Sequence, residues 1–396
     1  MFRMILRDLR LTPVRTVLTS MSMFIGILAV IAASLVGTVG STFLSATNAQ
    51  MSGRAPTYMV SVDMKSMDAL SAQSMQTLAE SMSQVTGAVV TPVVTLSDGL
   101  NITRNARSGM PIVDSVIDTT LTVASYRDIY VLPMVSGRWF SPPTAQAGLE
   151  VVVNKAGASA FGGTGSPVAI TSRQTQTVTA TTVTGVVNDG RPDPRVYINA
   201  ASFAFFEPQL WNPASLAVYV HPEHDMGDSA AVASMVNDMV YDTLGGKTSG
   251  IQRVDNSTSY DEVLRYLQIA FAICGVLLLL VAALGLMNIG LADVEQRSRE
   301  LLIRRALGAS RTNVMMLVAG SSIVLSAIVA VVAVAVSAAL VMAIPAWLPP
   351  DSPIPKPEYP YAAALYALGG SMLTALLSSV APALKASKLE PAMALR

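Results

Sequence analysis

Hydrophobic and polar positions divide the chain into four long apolar runs separated by polar segments. The runs cover residues 16–44, 266–292, 312–344 and 361–384. Each exceeds the roughly 18 residues that a membrane-spanning helix needs. At about 1.5 Å per residue, the first and third runs are longer than the roughly 30 Å hydrocarbon core of a bilayer. We therefore predict four transmembrane helices, some of which continue out of the membrane as stalks.

The segment between the first two runs has a different pattern, with short stretches rich in Thr, Val, Ser, Gly and Asp. Helices are expected to begin near Ser66 and Asp228, and strands are predicted at residues 57–64, 149–155, 177–187, 195–200 and 216–220. The predicted fold class is a membrane protein with four transmembrane α-helices and a large α+β extracytoplasmic domain inserted between helices 1 and 2. Residues 45–260 would form this domain, in two lobes.

Basic residues lie beside the ends of the apolar runs and predict the orientation of the chain. They are Arg3, Arg7, Arg10 and Arg15 before the first run, Arg297, Arg299, Arg304, Arg305 and Arg311 after the second, and Lys385, Lys388 and Arg396 after the fourth. Because basic loops stay in the cytoplasm, both termini are expected there. Residues 1–15 would form an interfacial amphipathic helix, 345–360 a short extracytoplasmic loop, and 385–396 a cytoplasmic tail.

Composition narrows the class of protein. Charged residues make up 13% of the chain, whereas a soluble domain has roughly a quarter, so the composition is typical of a membrane protein. The formal net charge is zero, which argues against a nucleic-acid partner. The first run is about twice the length of a signal-peptide core, which favours a retained helix over a cleaved leader. The four runs contain no Asp, Glu, Lys, Arg or His, which argues against an ion-driven carrier.

Two short motifs resemble ligand sites but lack the required spacing. Residues 245–248 read GGKT, yet a phosphate loop needs another glycine where this chain has Tyr241. His221 and His224 flank Pro222, which interrupts regular helical spacing, and no third metal ligand is specified nearby. We expect no catalytic, metal-binding or cofactor-binding residues in this chain.

The segment VEQRSRELLIRRALGASR, residues 294–311, gathers charge between the second and third runs. Glu295 with Arg299, and Glu300 with Arg304, have the i,i+4 spacing of helical ion pairs, with the acid in the favoured N-terminal position. The spacing predicts a helix at the cytoplasmic surface. The alternative is a polar loop that its arginines hold at the lipid surface.

Apolar residues of the same segment support an amphipathic helix. Ile303 and Leu307 share one helical face, and Leu302 and Ala306 share another. Gly308 is placed to end the helix in a left-handed conformation.

Small residues recur every four positions along the first run, at Ala29, Ala33 and Gly37. Such a ridge lets a second helix approach closely. Packing within one subunit and contact between two subunits are equally consistent with it.

The charged segment, at residues 295–311, resembles the conserved segment that follows the second span in the FtsX-like permease family. Further similarity lies in LRDLRLTPVRTVLTSMSMFIGI (6–27), LPMVSGRWF (132–140), VVVNKAGASAFG (151–162), TVTGVVND (182–189) and APALKASKLEPAMALR (381–396). The middle three stretches are similar to the outer domain of MacB-type members. The resemblance covers essentially the whole chain, although Leu302 stands where the family pattern has glycine.

This resemblance implies an ABC transporter permease subunit in a bacterial cytoplasmic (inner) membrane. It implies a second permease copy, as a homodimer or heterodimer, and a separate cytoplasmic ABC ATPase subunit that binds ATP and Mg. An extracytoplasmic accessory protein is a further expected partner. The residues that would contact the ATPase, at positions 293–311, are Glu295, Arg297, Arg299, Glu300, Arg304, Arg305, Ala306, Gly308 and Ala309.

The expected function is export of a peptide, drug-like or lipid-linked substrate, driven by motion of the outer domain. The alternative is an FtsX-like regulator of a cell-wall hydrolase, or a sensor of envelope signals, that transports nothing. A membrane enzyme with its active site in the outer domain is the least favoured class, because no catalytic arrangement stands out.

Overall fold

A computed structural model describes residues 13–104, 117–141, 148–172, 178–223 and 229–388. The helices, in chain order, are α1 (Pro13–Met51), α2 (Ala72–Thr86), α3 (Tyr126–Ile129), α4 (Lys155–Phe161), α5 (Ala200–Phe206), α6 (Ser229–Leu244), α7 (Ser257–Gln296), α8 (Ser298–Ala306), α9 (Arg311–Trp347) and α10 (Tyr361–Ser387). Two compact units form. The first contains α1 up to Thr42, residues 261–348 and the chain from Lys356; the second contains residues 43–260 and 349–355.

Four helices of the first unit are long and apolar enough to cross a membrane, as predicted. Helices α1, α7 and α9 have 39, 40 and 37 residues, and α10 has 27. At about 1.5 Å per residue, all four exceed the roughly 30 Å hydrocarbon core, and both α1 and α7 continue into the second unit. The chain is therefore a membrane protein, with four transmembrane helices in the part that the structure describes.

Small residues allow these helices to pack closely. A Cβ on Gly275 of α7 would lie 2.7 Å from Val30 Cγ2 of α1, and one on Gly290 of α7 would lie 2.7 Å from Pro382 Cγ of α10. Between α9 and α10, the Ser326 hydroxyl donates to the Ser371 carbonyl at 2.9 Å. Close approach of small residues and buried hydroxyl contacts are what hold helices together in lipid.

Within the described residues, the second unit is built on one sheet of eleven strands. The strands are β1 (Tyr58–Asp63), β2 (Val89–Leu96), β3 (Leu100–Arg104), β4 (Asp118–Thr122), β5 (Met134–Gly137), β6 (Val151–Asn154), β7 (Pro167–Ser172), β8 (Val178–Val187), β9 (Arg195–Asn199), β10 (Pro213–His221) and β11 (Lys247–Arg253). Their order is β11-β1-β10-β2-β4-β9-β6-β8-β7-β3, with β5 beside β8. The β4–β9 and β6–β8 pairs are parallel and the remaining pairs antiparallel.

Alternation along the strands divides the interior of this unit into two cores, because successive side chains point to opposite faces of a sheet. On β9, Val196 and Ile198 enter a core that α2, α5 and α6 cover, whereas Tyr197 enters a second, aromatic core. Tyr126 of α3 and Trp139 contribute to the second core. The unit is therefore a mixed α+β domain inserted between the first two spans.

The five predicted strands are confirmed as β1, β6, β8, β9 and β10. The helix predicted to begin near Ser66 is wrong at its start: residues 67–69 form a single 3-10 turn, and α2 begins at Ala72. Ser71 determines this start, because it exchanges capping hydrogen bonds with Ser74. Most of the predicted interfacial helix at residues 1–15 lies outside the described residues, and so does the predicted helix cap at Asp228. The division into two lobes stays a prediction.

Candidate functional site

The charged segment forms a separate short helix, α8, between two spanning helices. Helix α7 ends at Gln296, and the chain turns at Arg297, whose φ of −101° and ψ of 12° interrupt the helix. Gly308 has a φ of +99°, so the predicted glycine stop is confirmed. Ser310 then caps α9, because its hydroxyl accepts from the Asn313 backbone at 3.1 Å.

Helix α8 buries one apolar face and leaves the other exposed. Leu301 and Leu302, 4% and 7% exposed, point toward the membrane unit, and Leu301 packs with Val294, Val314 and Ala386. On the opposite face Ile303 and Leu307 are 54% and 84% exposed. Together with Arg299, Glu300 and Ala306, which are also exposed, they form a surface that we call the exposed α8 face.

Ion pairs hold the charged residues of this region in place. Arg304 Nη2 lies 2.7 Å from Glu300 Oε1, so this predicted i,i+4 pair is confirmed. The predicted Glu295–Arg299 pair is wrong: Glu295 contacts Lys385 of α10 instead. The turn at Arg297 separates the two residues between different helices, which removes their helical spacing.

Other predicted contact residues are partly buried and make contacts within their own unit. Arg305 Nη1 donates to the Ser387 carbonyl at 2.9 Å, and Arg297 pairs with Asp293 at 3.2 Å. Ala309 is partly buried against the Leu301 cluster. These three residues therefore fix the position of α8 within its own unit. The sequence-based set also omitted Ile303 and Leu307, although their i,i+4 spacing was visible.

The small-residue ridge on α1 contributes to contacts within this chain. A Cβ on Gly37 would lie 1.8 Å from Gln268 Nε2 of α7, and Ala33 is buried. Ala29 is only partly buried. Of the two alternatives for the ridge, Gly37 supports packing within one subunit.

The two weak motifs take ordinary structural positions. Gly245 follows α6 with a φ of +64°, and Lys247 begins strand β11 rather than the helix that a phosphate loop requires. His221 ends β10, with Nδ1 2.8 Å from the Pro56 carbonyl oxygen. His224 lies outside the described residues.

In the second unit, the end of α1 is held by residues 188–191. Gln50 Nε2 donates to the Asn188 carbonyl at 2.7 Å, and Arg191 Nη2 donates to the Met51 carbonyl at 2.7 Å. Gly190, with a φ of +71°, leaves room for Gln50, because a Cβ there would lie 2.7 Å from Gln50 Oε1. The last turn of α1 is thus attached to the domain by side chains of both partners.

A buried carboxylate fixes the 188–191 segment from inside the domain. Asp189, 2% exposed, accepts from Asn154 Nδ2 at 3.1 Å, from the Arg191 backbone at 3.1 Å and from the Tyr197 hydroxyl at 2.9 Å. Burial, followed by the nearby Asp189 charge, raises the pKa of Tyr197 well above its ordinary value. Tyr197 therefore stays protonated and remains a donor.

A second buried carboxylate joins the sheet to the start of α7. Asp255 accepts from Arg253 Nε at 2.8 Å, the Ser257 hydroxyl at 2.6 Å and the Thr57 backbone at 3.0 Å. Burial opposes ionisation of Asp255, but these hydrogen bonds outweigh it, so its pKa lies below the usual range. Nearby, Asn48 of α1 accepts from the backbone of residue 256, which ties the two helices together.

Two family models match the chain. The model described as MacB-like periplasmic core domain matches residues 16–237, more than half of the chain, and the model described as FtsX-like permease C-terminal matches residues 272–391. The chain belongs to the MacB-like family of ABC transporter permeases. In this MacB-like permease, the first match covers most of α1 and the inserted domain up to residue 237, and the second includes α8 and the last two spans.

Curated relatives match shorter stretches. The macrolide export ATP-binding/permease protein MacB of Azoarcus sp. is 35% identical over 30% of this chain and 17% of its own length. The uncharacterized ABC transporter permease YknZ of Bacillus subtilis is 36% identical over 30% of this chain and 28% of its own. The macrolide export ATP-binding/permease protein MacB of Bdellovibrio bacteriovorus is 30% identical over 37% of this chain and 21% of its own length. The chain thus aligns with less than a third of each relative.

Two solved structures are similar at low identity. The periplasmic region of MacB from Actinobacillus actinomycetemcomitans has a TM-score of 0.36 and 16% identity, covering 55% of this chain and 94% of that one. The extracellular domain of YknZ from Gram-positive bacteria has a TM-score of 0.34 and 13% identity, and the match covers 48% of this chain and 100% of that one. Both scores lie below 0.5, so the family assignment rests on the family models.

Proposed function

We propose that this chain is the permease subunit of an ABC transporter whose separate cytoplasmic ATPase docks on the exposed α8 face. ATP hydrolysis in that partner, which binds ATP and Mg, drives mechanical motion of the domain between the first two spans. The observation that carries the proposal is the exposure of Ile303 and Leu307 beside the Glu300–Arg304 ion pair.

The composition of this face suits binding to another protein. Exposed apolar side chains grouped together and rimmed by charges are typical of contact sites for proteins or membranes. Leu307, at 84% exposed, contributes almost none of its side chain to packing within this chain. Meanwhile Arg305 and Leu301 fix the helix from its inner side. A force on the exposed face would therefore move α8 together with the helices it contacts.

The remaining parts of the proposal follow the family. The permease would act with a second copy of itself or a related chain, in a bacterial cytoplasmic membrane with both termini in the cytoplasm. Two relatives named as macrolide export proteins support export as the direction of transport. The proposed cargo is a peptide, a drug-like compound or a lipid-linked molecule, and catalysis would belong to the partner.

The test compares partner binding by the parent chain and by an Ile303→Glu/Leu307→Glu variant. Each chain is tagged in its host, the membranes are solubilised gently, and co-purifying proteins are identified. We expect an ABC ATPase with the parent and a loss of at least about tenfold with the variant, because burying two new carboxylates in an interface is costly.

Val178→Glu is the matched control, since Val178 is 55% exposed on strand β8 of the inserted domain. It adds a carboxylate at a similarly exposed position and should leave the ATPase bound. Equal recovery with the parent and the α8 variant, or no ATPase with the parent after crosslinking, would contradict the proposal.

A further inference from the structure

The loop between α9 and α10 carries an acidic residue that contacts the inserted domain. Asp351 Oδ2 lies 2.8 Å from Lys155 Nζ, at the first residue of α4. Residues 349–355 cluster with the second unit rather than with the spans they connect. The hydrogen bond from Lys155 lowers the pKa of Asp351, so its carboxylate is charged at neutral pH.

The same residue reaches the segment that holds α1. Asn188 Nδ2 donates to the Asp351 carbonyl at 2.9 Å, while the Asn188 carbonyl accepts from Gln50 of α1 at 2.7 Å. The Asn188 backbone N–H donates to the Pro133 carbonyl at 2.9 Å. One asparagine therefore contacts the end of the first span, the loop between the third and fourth spans, and the body of the domain.

The loop itself is poorly suited to absorb movement. Residues 349–355 read PPDSPIP, and each proline fixes its own φ and restricts the residue before it. The Ser352 backbone donates to the Pro349 carbonyl at 3.0 Å, and the Ile354 backbone donates to the Ser352 hydroxyl at 3.3 Å. A short proline-rich loop with internal hydrogen bonds transmits displacement better than a glycine-rich one would.

We propose that Asp351 and Asn188 are positioning residues that join the α9–α10 loop and the end of α1 to one rigid point of the inserted domain. Displacement of the third and fourth spans then reaches the domain at the same place as displacement of the first. The buried contacts of Asp189 with Asn154 and Tyr197 keep that point rigid. This inference rests on the proposed function, in which motion of the spans moves the domain.

The contact itself is tested without reference to transport. Lys155→Cys and Asp351→Cys are combined in a Cys274→Ala background, because Cys274 is the single native cysteine. Membranes containing the full chain are treated with a short bifunctional thiol reagent, and mass spectrometry identifies the linked peptides. We expect a 155–351 link as the main product. Its absence in the folded chain would overturn the proposal.

The role in coupling is tested on the full chain with its co-purified ATPase. The measured quantity, called chain-dependent hydrolysis, is the rate of ATP hydrolysis by the ATPase with this chain minus the rate without it. Asp351→Lys should lower it about two- to fivefold, the range expected for loss of a partly exposed ion pair. The exchanged pair Lys155→Asp/Asp351→Lys should recover most of it. Glu358→Lys, an exposed acid of the same connection, is the matched control and should change little.

The decisive measurement is chain-dependent hydrolysis after residues 155 and 351 have been crosslinked. If the loop and domain move as one body, the 155–351 crosslink leaves chain-dependent hydrolysis near the parent level. A locked chain that loses hydrolysis, or an Asp351→Lys variant that equals the parent, would overturn the inference. If the parent binds no ATPase, the proposed function is wrong, and so is the proposed role of Asp351 and Asn188 in transmitting motion. The crosslinking result would still show whether residues 155 and 351 are in contact.

Discussion

Helix α8 and the 188–191 segment use polar side chains in opposite ways. In α8 the Glu300–Arg304 pair lies at the surface beside the exposed Ile303 and Leu307. In the 188–191 segment Asp189 is buried and accepts from three different residues. The two regions therefore differ in what they leave exposed: α8 keeps apolar surface that its own unit does not cover, whereas the buried carboxylate of the 188–191 segment is satisfied by internal contacts.

The comparison predicts that the buried carboxylates of the domain determine its stability. Asp255→Ala removes the acceptor of Arg253, Ser257 and the Thr57 backbone, and should lower the free energy of unfolding by about 2–4 kcal/mol. Thermal unfolding of the full chain in detergent measures it. Asp261→Ala, at an exposed position of α7, is the control. Equal midpoints for the two variants would mean that the buried contacts stabilise nothing.

A smaller change in the free energy of unfolding, measured as the midpoint of thermal unfolding, is expected where α7 crosses α10. Gly290→Ala places a methyl group 2.7 Å from Pro382 Cγ and should cost about 1–3 kcal/mol through overpacking. Gly320→Ala in α9 meets no atom within 4 Å and should stabilise by up to about 1 kcal/mol through helix propensity. The two midpoints should shift in opposite directions. An unchanged or raised midpoint for Gly290→Ala would show that the crossing tolerates a side chain.

The smallest effect concerns pH at the α9–α10 loop. Lys155 lowers the pKa of Asp351 in the folded chain below the ordinary value of about 3.9, so the pair stabilises docking above about pH 4. That contribution, at most about 1 kcal/mol, is lost as pH falls through the lowered pKa.

A fluorescent label on Ser352→Cys, in the Cys274→Ala background, should report this loss as a transition below about pH 4. Asp351→Asn carries no carboxylate there and should show a flat response. A transition of equal size in both chains would assign it to another group.

Much of the fold could be predicted because local patterns determine it. Uninterrupted apolar runs identified the four spans, and the alternation in residues 177–187 identified β8. Strands such as β2 and β11 were not predicted; β2 contains a proline and β11 has little apolar alternation. Their position in the sheet depends on pairing with distant strands.

The candidate site was predicted only in outline. The sequence located α8 and its glycine stop, but two apolar faces were visible, and periodicity alone does not say which one the spans bury. The contact between Asn188 and Asp351 joins residues 163 positions apart. Neither residue has a local pattern that indicates a partner, so only the tertiary structure brings them together.

The most direct test of the central claim is photocrosslinking from the exposed α8 face in intact cells. A photoreactive amino acid replaces Ile303 in one chain and Val178 in another, and the linked proteins are identified. Docking on α8 predicts an ABC ATPase linked to position 303 and none linked to position 178. Links from position 303 to lipid alone, or to a second copy of this chain alone, would contradict it.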